Sequence, residues 1–267
     1  MQVMCLNGWG GKLHGVLLPY LAETRPDVLC LQEVVHTPEA PREWLTYRDG
    51  DHILPQRARF FAEVAAALPD HASVFCPAAQ GVLWDGQVSV PSQWGLATFV
   101  HKSLVIIGQT QGFVHKDFSA DGYGAHPRSR SAHAVRLCDP ASDRRVTVAH
   151  MHGLRDLGGK HDTPARAALA RRFADLALRT AQPGDAVVAC GDFNVQPGSE
   201  TLRILRDHGL NDLVTGRGHD GTRTSHYTKP GRFADYMTVS ADLAEAPFQV
   251  VRDPEGSDHC PLLLTID

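Results

Sequence analysis

The chain has no cysteine pair at the C-x-x-C spacing of a metal knuckle or redox motif: its six cysteines stand at 5, 30, 76, 138, 190 and 260. Four of them, Cys5, Cys30, Cys138 and Cys190, sit in apolar strand-like runs and read as small buried hydrophobes in a reducing compartment. Long hydrophobic runs are missing too. No stretch is long enough to span a bilayer, and the opening Gln2-Val3-Met4-Cys5-Leu6 has no basic start followed by an apolar signal segment, so the expected location is cytoplasmic. No Pro/Gly/Ser-rich linker, low-complexity tract or internal repeat divides the 267 residues, which predicts one domain over 1–267. An excess of positive charge is also lacking. The formal charge of −4 excludes a general attraction to nucleic acid or anionic membrane, and nothing in the composition calls for an obligate protein partner.

At 43% hydrophobic content the chain can bury a sizeable core. The pattern opens strand, helix, strand: Val3 to Leu6, Val16 to Thr24, Val28 to Gln32. A second helix is predicted over Gln56 to Leu68, where Phe60, Phe61, Val64, Ala65 and Leu68 share a face. Leu96 to Val100, Val105 to Phe113, Ala132 to Leu137 and Val146 to Ala149 follow as strands without a helix between them, which predicts antiparallel pairing. Thr163 as N-cap and Pro164 at the first helical position open a third helix with the stripe Leu169, Phe173, Leu176. Strand 186–190, a short helix opened by Ser199-Glu200, and strands near Ala234 to Val239, Phe248 to Val251 and Leu262 to Ile266 complete the order. Many strands with helices at intervals predict two packed sheets with helices outside. Ala78 to Gly95, Lys116 to Ser131 and Gly216 to Arg232 read as loops that carry substrate contacts.

Polar residues recur at strand ends. Asn7 follows the first strand, Glu33 the second, and His152 the run Val146 to Met151; Gly191-Asp192-Phe193-Asn194 closes Ala186 to Cys190, and Ser257-Asp258-His259 precedes the last strand. Under average residue usage the tetrapeptide arises by chance about once in a thousand chains of this length. If the rims lie at one end of the sandwich, these side chains converge into an acidic, histidine-flanked pocket suited to cleaving phosphate esters. Oxygens of Asn7, Glu33 and Asp258 would hold a hard divalent cation, Mg²⁺ or alternatively Mn²⁺. Asp192 would position or deprotonate a water, Asn194 would bond that water or a phosphate oxygen, and His152 and His259 would donate to non-bridging oxygens.

Leu6-Asn7, Leu31-Gln32-Glu33, the His152 strand end, Gly191-Asp192-Phe193-Asn194, Asp235-Tyr236 and Ser257-Asp258-His259, in this order, resemble the endonuclease/exonuclease/phosphatase superfamily, the DNase I-like proteins. The resemblance runs from residue 3 to 266. It implies a four-layer α/β/β/α sandwich in which two mixed sheets pack face to face between flanking helices. It also implies metal-dependent phosphoester hydrolysis, and an acid–histidine pair in which Asp235 orients His259 while Asp258 faces the metal. Members acting at abasic DNA carry an acidic residue two positions after the first Asn, where this chain has Trp9, and an Asn where His152 stands. The pattern therefore lies closer to the DNase I, sphingomyelinase and phosphatase branches.

The expected function is a phosphodiesterase or phosphatase acting on a phosphorylated small molecule, a phospholipid headgroup or nucleic acid. A DNA or RNA nuclease is the alternative within the same chemistry. Outside it stand a zinc hydrolase built on His150-Met151-His152, for which no further metal-type cluster is present, and a catalytically dead binding module on the same fold. The segment His126-Pro127-Arg128-Ser129-Arg130 reads equally as a solvated loop or as a phosphate contact.

Overall fold

The structure, a computed structural model, describes residues 1–267. The first half of the chain forms β1 (Gln2–Asn7), α1 (His14–Thr24), β2 (Val28–His36), β3 (Trp44–Asp49), β4 (His52–Arg57), α2 (Phe60–Ala67), β5 (His71–Asp85) and β6 (Val88–His101). Then follow β7 (Val105–His115), β8 (Arg130–Asp139), β9 (Arg144–His152), α3 (Pro164–Thr180) and β10 (Ala186–Asp192). The chain ends with α4 (Glu200–Asp207), β11 (Asn211–Asp212), α5 (Leu213–Gly216), β12 (Asp235–Val239), β13 (Phe248–Val250) and β14 (Leu262–Thr265). Eight strands make one sheet in the order β13-β14-β1-β2-β6-β5-β3-β4, and six make the other in the order β11-β12-β10-β9-β8-β7. Both sheets are mixed: β1 runs parallel to β2, and β9 to β10, among antiparallel neighbours.

Alternation along the central strands explains the layering. In β1, Val3 and Cys5 enter the core between the sheets, while Met4 and Leu6 enter a second core beneath α1 and α2. Val28 and Cys30 of β2 repeat the first direction, and Leu29 and Leu31 the second. A strand covered on both faces reads as a continuous apolar run, and these do. On the far side α3 lays Leu169, Phe173, Ala174 and Ala177 onto the six-stranded sheet. Its start is as predicted, with the Thr163 hydroxyl accepting the Arg166 N–H at 3.2 Å and Pro164 in the first turn. The cysteines are unpaired, five of them buried and Cys138 half-exposed. No helix is long and apolar enough to cross a membrane.

Two expectations are corrected. The second helix begins at Phe60, because Gln56 and Arg57 close β4, whose six residues pair with β3 from Trp44↔Arg57 to Asp49↔His52. Residues 78–95 are not a loop but the far part of the β5–β6 hairpin, paired out to Asp85↔Val88 around the turn Gly86-Gln87. Both hairpins turn at an Asp-Gly dipeptide, Asp49-Gly50 and Asp85-Gly86, flanked by alternating apolar residues. Residues 116–129 and 217–232 are without regular structure, as expected of loops.

Phe173 is fully buried, its ring 5.8 Å from that of Phe193 beneath the Gly191–Asn194 turn. Phe173→Ala is expected to lower unfolding stability by about 3–5 kcal/mol in urea titration.

Candidate active site

Four parallel or aligned rims deliver the polar cluster. Asn7 ends β1, Glu33 interrupts β2, His152 ends β9 and Asp192 ends β10; β12 starts at Asp235, antiparallel to β10 with Asp192 opposite Asp235. The Asn7 amide donates to Asp192 Oδ2 at 3.0 Å, across the gap between the two sheets. Its own carbonyl Oδ1 accepts the Trp9 N–H at 3.0 Å, which leaves one lone pair free. Asp192 Oδ1 accepts the Asn194 N–H at 2.9 Å, and the Asn194 side-chain amide lies 3.3 Å from His152 Nε2. Asn194 holds φ 53°, a left-handed conformation that asparagine tolerates.

The Gly-Asp-Phe-Asn turn is sterically determined. Gly191 has φ 147°, and a Cβ there would stand 2.0 Å from the Met151 carbonyl of the neighbouring strand, so only glycine lets β10 approach β9 at this point. Phe193 fills the core below, stacked on Tyr236 at 5.8 Å. Glu33 sits where the β2–β6 register slips between Leu31 and Val34, with φ 55°. This irregularity re-aims its carboxylate to the rim, as bulges beside functional sites do.

Ser257-Asp258-His259 is held as a unit. The Ser257 hydroxyl donates to the Asn7 carbonyl at 2.7 Å and accepts the His259 N–H at 3.3 Å. His259 Nδ1 lies 2.8 Å from both oxygens of Asp235, the acid–histidine pair that the resemblance implied. Thr222 braces Asp235, its hydroxyl accepting the Ala234 and Asp235 N–H groups at 3.1 and 3.0 Å. Arg223, absent from the sequence reading, donates through Nη1 to Asp258 Oδ2 at 2.7 Å and to His259 Nε2 at 2.5 Å. Its neighbour in space, Lys160, donates to the Phe233 carbonyl at 2.5 Å. Neither cation had a signal in the sequence, since each lies in an irregular segment where only the fold brings it to the site.

Ionisation follows from these contacts. Burial opposes charge on Asp192, but His259, His152, Arg223 and Lys160 outweigh it and hold the carboxyl well below the usual range. Burial also lowers His259, yet the Asp235 carboxylate prevails and raises it. Burial pushes Glu33 up, moderated by a side chain that stays 27% exposed. Burial, reinforced by Arg130, drives His152 down to about 3, so its ring is neutral at pH 7.

The donor set suits a hard cation. Glu33, His152 and Asp192 each offer an atom within 4.8 Å of the others, as do Asp192, Asp235 and His259. Asp258 Oδ1 is buried without a hydrogen-bond partner, an orphaned oxygen that a cation would satisfy. Of the expected ligands Asn7, Glu33 and Asp258, all three stand at the rim, and Asp258 shares its other oxygen with Arg223. His150 does not chelate with His152: it faces the inter-sheet core, with the Gln32 amide 3.2 Å from Nδ1 and Thr98 Oγ1 2.9 Å from Nε2.

Beside the rim opens a cleft bounded by Glu33, His152 and Trp94 at one end. Tyr47, His52 and Leu54 of the β3–β4 hairpin, Ala79 and Leu83 of β5, and Tyr123, His126 and Arg128 of the 116–129 loop form its walls. The His126–Arg130 segment is thus partly structural: His126 and Arg128 reach Asp49 at 3.0 and 3.1 Å.

The family profile described as the Endonuclease/Exonuclease/phosphatase family matches residues 7–259. Among solved structures, a mannosyl-6-phosphatase of Bacteroides thetaiotaomicron is 13% identical with a TM-score of 0.66, covering 99% of this chain and 98% of that one. The human Nocturnin catalytic domain is 18% identical, TM-score 0.60, covering 99% and 92%. A family protein of Leptotrichia buccalis is 14% identical, TM-score 0.66, covering 100% and 99%. At these identities the likeness shows the fold. No curated protein matches.

The histidines also set a pH response. Burial lowers His133 to about 4 and His150 well below its ordinary value. Protonation of His150 Nδ1 would oppose the Gln32 amide donor, so the chain Gln32–His150–Thr98–His133 needs neutral rings. Native rings stay neutral where unfolded ones, with values near 6.5, take up protons, so stability falls as pH drops below about 6.5. Each such histidine adds up to about 1.4 kcal/mol per pH unit. Urea unfolding between pH 7 and 4.5 is expected to show this loss, with a shallower slope for His133→Gln.

Proposed function

The chain belongs to the endonuclease/exonuclease/phosphatase family, and on that footing we propose that it is a divalent-metal-dependent phosphoester hydrolase, a phosphodiesterase or phosphatase working as one catalytic domain across residues 1–267. The observation that carries the reading is the joining of Asn7, Asp192, Asn194 and His152 to the Asp235–His259 pair at a single rim.

Asn7, Glu33 and Asp258 would hold the cation, Mg²⁺ or Mn²⁺, with oxygen donors that suit a hard ion. When bound, the ion polarises a phosphoryl oxygen and offsets charge developing in the transition state. Asp192 stays ionised at working pH, and a carboxylate held so low is a weak proton acceptor; its part is to orient the attacking water through a hydrogen bond. Asn194, fixed by its backbone bond to Asp192, presents its amide to that water or to a phosphate oxygen. His259, oriented by Asp235 and made more basic by it, stands beside Arg223 at Nε2, so the two together can meet the charge on a non-bridging oxygen. Neutral His152 accepts the Asn194 side-chain amide at Nε2, which holds Asn194 toward the same locus.

The walled cleft favours a small phosphorylated substrate, since apolar and aromatic side chains with a few polar groups line a concavity beside the rim. The phosphatase activity named for the Bacteroides thetaiotaomicron relative is in line with this. A nuclease reading has less support, because the chain is acidic overall and duplex binding draws on many Lys and Arg contacts.

Hydrolysis of p-nitrophenyl phosphate and bis-p-nitrophenyl phosphate, assayed with Mg²⁺, Mn²⁺ and EDTA, tests the proposal. EDTA should abolish turnover and either metal restore it, with Asp192→Ala and His259→Ala each lowering kcat by about 10²–10⁴-fold. Equal rates in wild type and both variants would place the chemistry elsewhere.

A further inference from the structure

The cleft beside the rim carries positive charge that the proposed chemistry does not use. Its lining includes three arginines, Arg128, Arg130 and Arg155, and one carboxylate, Glu33. Arg128 is matched by Asp49 at 3.1 Å and by the Tyr47 hydroxyl. Arg130 is buried, 4% exposed, with Nε donating to the Gly153 carbonyl at 2.7 Å and Nη1 to the Ser129 carbonyl at 3.2 Å. It feels Glu33 and Asp192 as its opposing charges, and burial lowers it only to about 10, so it remains charged. Its Nη2 has neither a protein partner nor a burial that would hide it, so it is left to the cleft.

Arg155 has no carboxylate within ion-pair distance and no side-chain hydrogen bond, although it lines the same cleft. It is nevertheless rigidly mounted. Arg130 grips the chain two residues before it at Gly153, and buried Arg166 grips Leu154, Gly159 and His161 through carbonyl bonds of 3.0, 2.8 and 2.7 Å. Two buried guanidiniums thus hold the backbone that carries Arg155, whose own half-exposed guanidinium is uncompensated. The facing His52 adds no charge: burial, with Arg155 and Lys229 behind it, lowers its pKa and favours the neutral ring.

We infer that Arg155, with Nη2 of Arg130, forms an anion subsite for a second negatively charged group on the organic portion of a small phosphoester, a carboxylate or second phosphate. This rests on the hydrolase reading and narrows it. The substrate lies with its scissile phosphate at the Asp192–His259 rim and its remaining body between Leu54, Leu83 and Trp94, while the second anion neutralises the unpaired guanidinium. A bidentate contact from a planar guanidinium fork discriminates by charge and shape at once.

The test compares KM for glucose 6-phosphate, 6-phosphogluconate and glucose 1,6-bisphosphate, with p-nitrophenyl phosphate and bis-p-nitrophenyl phosphate as baseline, in the presence of Mg²⁺ or Mn²⁺. At least one doubly anionic ester should have a kcat/KM about tenfold or more above glucose 6-phosphate, through KM. Arg155→Gln should erase that ratio and Arg155→Lys restore part of it. Turnover without preference for either doubly anionic ester, or a ratio untouched by Arg155→Gln, would overturn the subsite while leaving the hydrolase reading standing. No turnover of any of the five esters would overturn the hydrolase reading itself.

Discussion

A hydrogen bond at the centre of the site joins its halves: the Asn7 amide to Asp192 Oδ2, 3.0 Å long, between the eight-stranded sheet and the six-stranded one. Both side chains are buried, so neither polar group could be left unmatched without a desolvation cost of about 1–3 kcal/mol. Everything else at the rim is arranged around that requirement. Asp192 turns its second oxygen to the Asn194 backbone, and Asn7 lends its main-chain carbonyl to Ser257, which in turn holds the His259 N–H. Deeper in the same interface, Gln32, His150, Thr98 and His133 form a second polar bridge between the sheets. The apolar core supplies the adhesion; these bonds set how the sheets are aligned, because an amide–carboxylate contact tolerates far less sliding than packed methyl groups.

Strand periodicity and strand-end polar residues made much of this legible in advance. Asn7, His152 and Asp192 end strands that are apolar enough to be recognised, so their rim positions followed from the pattern. The Asp235–His259 pair came only from the family resemblance, because the two stand 24 positions apart across irregular chain and short elements and no local periodicity links them. Arg223 and Lys160 had no equivalent mark. A cation in a polar loop looks like a solvated one until the tertiary fold turns it inward.

Two misreadings share a cause. The helix expected from Gln56 and the loop expected over 78–95 both fall in hairpins, β3–β4 and β5–β6, whose Asp-Gly turns carried the signal. At Gln56 and Arg57, β3 pairing prevails over the helical stripe, and Arg57 is held by Glu43 and Glu63 at 2.9 and 2.8 Å. Tertiary pairing overrode a local propensity that is worth only tenths of a kcal/mol per residue.

The β3–β4 hairpin that walls the cleft is joined to β5 through the single register pair Thr46↔Trp84, while its two strands pair with each other over six positions. It hangs on the edge of a sheet whose opposite half holds Asn7 and Glu33, and its ion pairs run to the neighbouring 116–129 loop and α2. Changes in its length or side chains leave the inter-sheet bonds untouched. A lineage carrying this scaffold is free to exchange what it recognises without renegotiating how it reacts.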